Sequence, residues 1–208
     1  MRWRVTTGAA GLLLVALGAS AQEKTAYAIA GGQSKLEIHV YKEGMFKAFG
    51  HDHLIAAKEI SGEVQFDTQK IQDSRVRLQI ATKSFTVVDP GESEKDRQDV
   101  QATMAGEKVL DVAKFPEITF ISSGISGAKK NGEGWELTLT GKLKLHGVEK
   151  TVSFPLRVRT EDALLRGEGE ISVLQTDYGI TPVKVGGGTV KVKDKLRISF
   201  NILASKDR

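Results

Sequence analysis

The sequence predicts an all-β protein, an antiparallel β-barrel of about eight strands with one short inserted helix, and three observations predict it. Apolar and polar residues alternate with period 2 through almost the whole chain, which places successive side chains on opposite faces of a sheet. Turn residues fall between the alternating runs at close intervals, so neighbouring strands run antiparallel. One segment alone, residues 93–106, takes on helical character.

Taken in order, the chain opens on a segment that lies outside the fold. Met1, Arg2, Trp3 and Arg4 make a basic start ahead of the apolar run at residues 9–17, and Ala19-Ser20-Ala21 supplies small residues at a cleavage position. Residues 1–21 are therefore predicted to be a signal peptide cleaved before Gln22, and residues 22–208 a single domain. The leader's apolar stretch is shorter than the roughly 20 residues a membrane helix needs, and no later stretch comes closer. A mature domain without a transmembrane segment follows.

The first alternating runs are Leu36, Ile38 and Val40, then Ile60, Val64 and Phe66, then Val76, Leu78 and Ile80. Asp89-Pro90-Gly91 reads as a turn. The helical segment after it sets Val100 and Met104 four apart on one face and Asp96, Arg97 and Asp99 on others. Lys114-Phe115-Pro116 returns the chain to strand, with proline at an entry position that tolerates it. Asn131-Gly132 then precedes Trp135, Leu137, Leu139, Leu143 and Leu145, which alternate with Glu136, Thr138, Thr140, Lys142 and Lys144. His146-Gly147 turns into Val152, Phe154, Leu156 and Val158. Residues 163–174 alternate too, with Gly167 and Gly169 facing inward, where glycine permits a bulge, a bend or the close approach of a ligand. The last strand sets Val190, Val192, Leu196, Ile198, Phe200 and Ile202 against Lys191, Lys193, Lys195, Arg197, Ser199 and Asn201.

About eight such strands, each with one wet face, leave exposed edges unless the sheet closes on itself. A barrel of eight encloses an interior that either fills with side chains or holds one small ligand. A two-sheet sandwich is the alternative. Either must be held by burial and hydrogen bonds alone, because the chain has no cysteine. Without Arg2 and Arg4 the 30 basic residues become 28, against 26 acidic ones. They alternate along strands and do not cluster beside exposed aromatics, which argues against a nucleic-acid partner.

Few residues suggest chemistry. Two of the four histidines stand in Phe49-Gly50-His51-Asp52-His53-Leu54. In an extended segment His51 and His53 share a face and could bind one transition metal, with His146 or a carboxylate completing the shell. The same pair could be bonded to backbone at a barrel rim, or could serve as general acid or base. Gly186-Gly187-Gly188 lacks the Lys-Ser/Thr of a phosphate loop and leads into a strand, so it reads as a loop at the barrel mouth. No serine sits in a Gly-x-Ser-x-Gly elbow. Asp177 and Tyr178 could make polar contacts with a cavity or shape a strand exit.

Five segments stand in order along the chain: Ser34-Lys35-Leu36-Glu37-Ile38; Ile60-Ser61-Gly62-Glu63-Val64-Gln65-Phe66-Asp67; Phe115-Pro116-Glu117-Ile118-Thr119-Phe120; Leu143-Lys144-Leu145-His146-Gly147-Val148-Glu149-Lys150; and Thr176-Asp177-Tyr178-Gly179-Ile180. Together they resemble the YceI family of polyisoprenoid-binding, or YceI-like lipid-binding, proteins. The resemblance implies an extended lipocalin-like barrel, exported to the periplasm, or secreted, with a hydrophobic tunnel for an isoprenoid or another long-chain lipid. It implies a binding protein, not an enzyme, without a cofactor. The His-Asp-His segment stands where better-known members more often carry a plainer strand. The expected ligand-binding residues are Leu36, Ile38, Val40, Phe66, Leu78, Phe120, Phe154, Phe200 and Ile202, each of which could equally be packed core, with Asp177 and Tyr178 placed near the cavity by the resemblance. A metal-dependent enzyme or metal-binding protein using His51 and His53 is the alternative function, and a filled, ligand-free barrel a third. Oligomeric state stays open, a homodimer among the states allowed.

Overall fold

The computed structural model describes residues 24–43, 52–185 and 190–206. The predicted signal peptide and the Gly186-Gly187-Gly188 loop lie outside the described residues. The strands are β1 (Thr25–Ile29), β2 (Lys35–Val40), β3 (Lys42–Glu43), β4 (His53–Ala57), β5 (Ile60–Phe66), β6 (Arg75–Ala81) and β7 (Phe85–Val87). After helix α1 (Glu94–Ala105) come β8 (Glu117–Asn131), β9 (Gly134–Leu145), β10 (Val148–Glu161), β11 (Leu164–Leu174), β12 (Lys184–Val185), β13 (Val190–Val192) and β14 (Lys195–Lys206).

Eight of these close into an antiparallel barrel in the order β1-β5-β6-β8-β9-β10-β11-β14, with β14 returning to β1. Closure removes the edges that an open sheet would present. The long strands β8 to β11 follow one another through tight turns. In the turn between β9 and β10, His146 (φ 50°) and Gly147 (φ 77°) both adopt the left-handed conformation, and Leu145 faces Val148.

β14 has two partners along the same edge. Its start, from Arg197 to Asn201, pairs with β2, and its end, from Ala204 to Lys206, pairs with β1. Between them the first strand is broken by a 3₁₀ turn at Gly31–Gln33. The break is stitched to β14: the Ala30 amide donates to the Leu203 carbonyl at 2.8 Å, and Ser34 Oγ accepts the Leu203 amide at 3.0 Å. Gly31 is required by close approach, since a Cβ there would stand inside the Ile60 carbonyl oxygen. Beyond the break β2 carries β4 and β7 outward as a flap, so the barrel is closed at one end and flares at the other.

The wide end is finished by α1 and a small sheet of order β12-β13-β3. Ser93 caps α1 by accepting the Asp96 amide, and Met104 is buried against the core, with Val100 half-buried beside it. The Gln101 side-chain amide lies along β7, accepting from the Val87 amide at 3.0 Å and donating to the Phe85 carbonyl at 2.9 Å.

The structure corrects one expectation. The alternation over residues 190–202 reads as one strand, but the chain turns at Lys193 and Asp194, so β13 joins the small sheet and β14 the barrel. Asp194 fixes the turn by accepting from the Thr176 amide at 2.9 Å and from the Thr176 hydroxyl at 2.7 Å. Apolar residues at Val192 and Leu196 keep phase across it, which is why periodicity alone does not reveal it.

At the narrow end Asp67 folds the β5–β6 loop over the barrel. Its Oδ1 accepts the Gln69 amide at 2.9 Å and the Lys70 amide at 2.7 Å, and Ser74 Oγ accepts the Asp67 amide at 2.9 Å. Ile71 is thereby packed in one cluster with Tyr27 and Phe66.

Both loop carboxylates sit below the ordinary range, Asp67 chiefly through the Lys70 amide and Asp194 chiefly through the Thr176 hydroxyl. Groups depressed in the folded state contribute stability that is present above their unfolded value, about 3.9, and lost as pH falls through the lower folded value. The urea midpoint should fall as pH drops below about 4. An Asp67→Asn, Asp194→Asn variant, less stable at pH 7, should show a shallower fall; equal slopes would remove these carboxylates from the acid response.

Candidate functional site

The inward faces of the barrel do not fill it. A cavity of about 520 Å³ runs through the interior, from Phe66, Val158 and Leu165 near the narrow end to Val100, Met104 and Val190 at the wide one. That volume lies within the range of sites that enclose small ligands, roughly 300–1,000 Å³. The nine predicted apolar residues, Leu36, Ile38, Val40, Phe66, Leu78, Phe120, Phe154, Phe200 and Ile202, all stand on its wall. Asp177 and Tyr178 do not. Asp177 is exposed, and Tyr178 is 1 % exposed within the core, behind the wall. Burial foremost, with the Asp177 charge adding to it, pushes the Tyr178 phenol up.

The middle of the cavity is lined by an aromatic belt. The Phe154 ring stands 5.6 Å from Phe120 on one side and 5.6 Å from Phe200 on the other, centroid to centroid. Two inward glycines make room for it. A Cβ on Gly141 would enter the Phe120 ring, and one on Gly169, which faces Phe200 across the ladder, would lie 2.7 Å from the Phe200 ring edge. Gly169 therefore serves an aromatic ring from its own sheet, while Gly167 itself borders the cavity.

The charged side chains on the wall, with His53 and Thr103, stand at the wide end, while Ser74 stands at the narrow one. Lys42, His53 and Lys191 come from β3, β4 and β13, and Asp99 and Thr103 from α1. Sequence reasoning places none of these on a cavity, and reads His53 as a barrel-rim residue, a metal ligand or a general acid or base. Val109 and Leu110, in the loop after α1, were also missed because that loop has no strand or helix period.

His53 has a definite partner. Its Nδ1 lies 2.7 Å from Asp89 Oδ2, and the other Asp89 oxygen accepts the Leu54 amide. The Asp89 side chain is 5 % exposed and that of His53 21 %. His51 lies outside the described residues. His146 packs its ring against Phe115 and places Nδ1 3.2 Å from the Tyr178 carbonyl. Among the described residues no group of three or more His, Cys, Asp or Glu is arranged to hold a metal ion. No described helix is long and apolar enough to cross a membrane.

A family model described as a YceI-like domain matches residues 27–204. Protein YceI of Salmonella newport is 32 % identical over 148 residues, which are 67 % of this chain and 67 % of that protein. A UPF0312 protein of Shewanella denitrificans is 35 % identical over 95 residues, 46 % of this chain and 44 % of the other, so the chain spans under half of that relative. Among solved structures, Burkholderia cenocepacia BcnA superposes with a TM-score of 0.66 at 24 % identity, covering 85 % of this chain and 99 % of BcnA. A polyisoprenoid binding domain from Saccharophagus degradans, implicated in plant cell wall breakdown, superposes at 0.61 and 15 % identity, covering 88 % and 100 %. At these identities the two structures show a shared fold.

Proposed function

The chain belongs to the family of proteins with a YceI-like domain, and on that premise we propose that it is an exported binding protein, without catalytic activity, that carries or stores a long-chain amphiphile of the polyisoprenoid class. The observation that carries the proposal is the open apolar cavity with the charged side chains of its wall at one end. The 12 residues of β14, at about 3.3 Å each and tilted by roughly 40°, reach ~30 Å along the barrel, a length suited to an extended tail. Each buried methylene favours transfer from water by about 0.8 kcal/mol, so a dozen carbons supply ~10 kcal/mol before the costs of association. The apolar tail enters first and its head stays at the wide end, because a polar head inside the aromatic belt would lose water without gaining hydrogen bonds. The solved polyisoprenoid binding domain of the same fold agrees with this choice of ligand class. The basic start, apolar run and Ala19-Ser20-Ala21 support export, to the periplasm on the family's pattern.

Native mass spectrometry of the mature protein, followed by organic extraction, tests the reading. A co-purifying amphiphile that leaves on extraction and rebinds on addition is the expected result. Protein that emerges empty and takes up no long-chain isoprenoid from detergent would overturn it.

A further inference from the structure

We propose that His53, set in place by Asp89, is the head-group anchor of the cavity, and that the head it selects is a neutral hydroxyl, as on a long-chain alcohol. The inference rests on the lipid-binding reading and adds to it the chemistry of the ligand's polar end. On β4 the ring of His53 stands on the cavity wall at the wide end. Asp89, two residues past the end of the edge strand β7, holds that ring from behind. Both of its oxygens are used, one on Nδ1 and one on the Leu54 amide. This leaves Nε2 as the polar atom of the ring that a ligand can meet. A carboxylate behind a ring fixes its orientation, as second-shell partners of functional histidines do.

The head-group class follows from what Nε2 can do and from the charges around it. With Nδ1–H donated to Asp89, a neutral ring presents a lone pair at Nε2; a protonated ring presents an N–H. A hydroxyl satisfies both, donating in the first case and accepting in the second. A diphosphate needs several cations without counter-charges. The charged side chains on the wall are of both signs, Lys42 and Lys191 against Asp99, and Lys191 is paired with Glu43 at 2.7 Å. Among the described residues this rim holds no excess of positive charge for a multivalent anion. It suits a head of one polar group at the border of an apolar wall.

The experiment uses the mature protein, freed of co-purifying lipid, and three ligands with the same C20 isoprenoid tail: geranylgeraniol, the hydrocarbon lacking its hydroxyl, and geranylgeranyl diphosphate. Affinities are measured for the native protein and for His53→Phe and Asp89→Asn. The native protein should bind the alcohol about tenfold more tightly than the hydrocarbon, the scale of one hydrogen bond made in a dry site. It should not prefer the diphosphate. In His53→Phe the alcohol should fall to the hydrocarbon's level. Asp89→Asn keeps an oxygen for the Leu54 amide but donates to Nδ1, so the ring carries its proton on Nε2. The alcohol's preference should persist there, with the tautomer change read in the ¹⁵N shifts of His53. The anchor is overturned if alcohol and hydrocarbon bind the native protein equally, if the preference survives in His53→Phe, if the Asp89→Asn tautomer does not change, or if the diphosphate binds most tightly. If none of the three binds the native protein, the lipid-binding reading itself falls, which separates the two failures.

Discussion

Gly31→Ala should lower stability by about 3 kcal/mol, read as a fall in the urea midpoint, while Gly32→Ala beside it should change stability by less than ~0.5 kcal/mol. Both glycines lie in the same 3₁₀ turn between β1 and β2. A Cβ at Gly32 meets nothing within 4 Å, but one at Gly31 runs into the carbonyl of Ile60, which is backbone and cannot turn away. Relief requires moving the turn, and the turn is bonded to Leu203 of β14 from both of its ends. The strain thus falls on the seam where β1 and β14 close the barrel. Equal effects at the two positions would mean that the seam is looser than its geometry.

Phe154→Ala should cost about 3 kcal/mol, at the low end for a buried phenylalanine because part of its ring borders open cavity. It removes the middle member of the belt and leaves Phe120 and Phe200 without their shared neighbour. The opened waist should also admit bulkier or longer tails, shifting the masses of co-extracted amphiphile upward. A variant with unchanged melting temperature and unchanged ligand masses would show that the belt neither packs the core nor limits the tail.

Much of this fold is legible as alternation, because a half-wet sheet writes its dry face into every second residue. All nine apolar candidates, from Leu36 to Ile202, reach the cavity wall for that reason. Alternation reports a face and not a partner. It therefore shows neither the break between β1 and β2 nor the exchange of partners along β14, where apolar phase is maintained while the ladder changes. The turn at Asp194 escapes for the same reason, being held by Thr176 from a distant part of the chain. Polar features of the site are less legible still. His53 is conspicuous, but its neighbour in sequence, His51, suggests metal, whereas its bonded partner Asp89 lies 36 residues away in a segment that reads only as a turn. Asp177 and Tyr178, which read in sequence either as cavity contacts or as the shaping of a strand exit, belong to the 3₁₀ turn after β11 and leave the cavity wall to others.

The Gln101 amide on β7 has a consequence for the protein in crowded solution. A barrel with a flap is a barrel with a free margin, and a row of unmet amides and carbonyls on such a margin invites a second molecule to add its own strand and a third to follow. One carboxamide, offering a carbonyl to Val87 and an N–H to Phe85, copies the hydrogen-bonding face of a single peptide unit and occupies the first place such a molecule would take. The flare that gives access to the lumen is thus kept from becoming the start of a polymer.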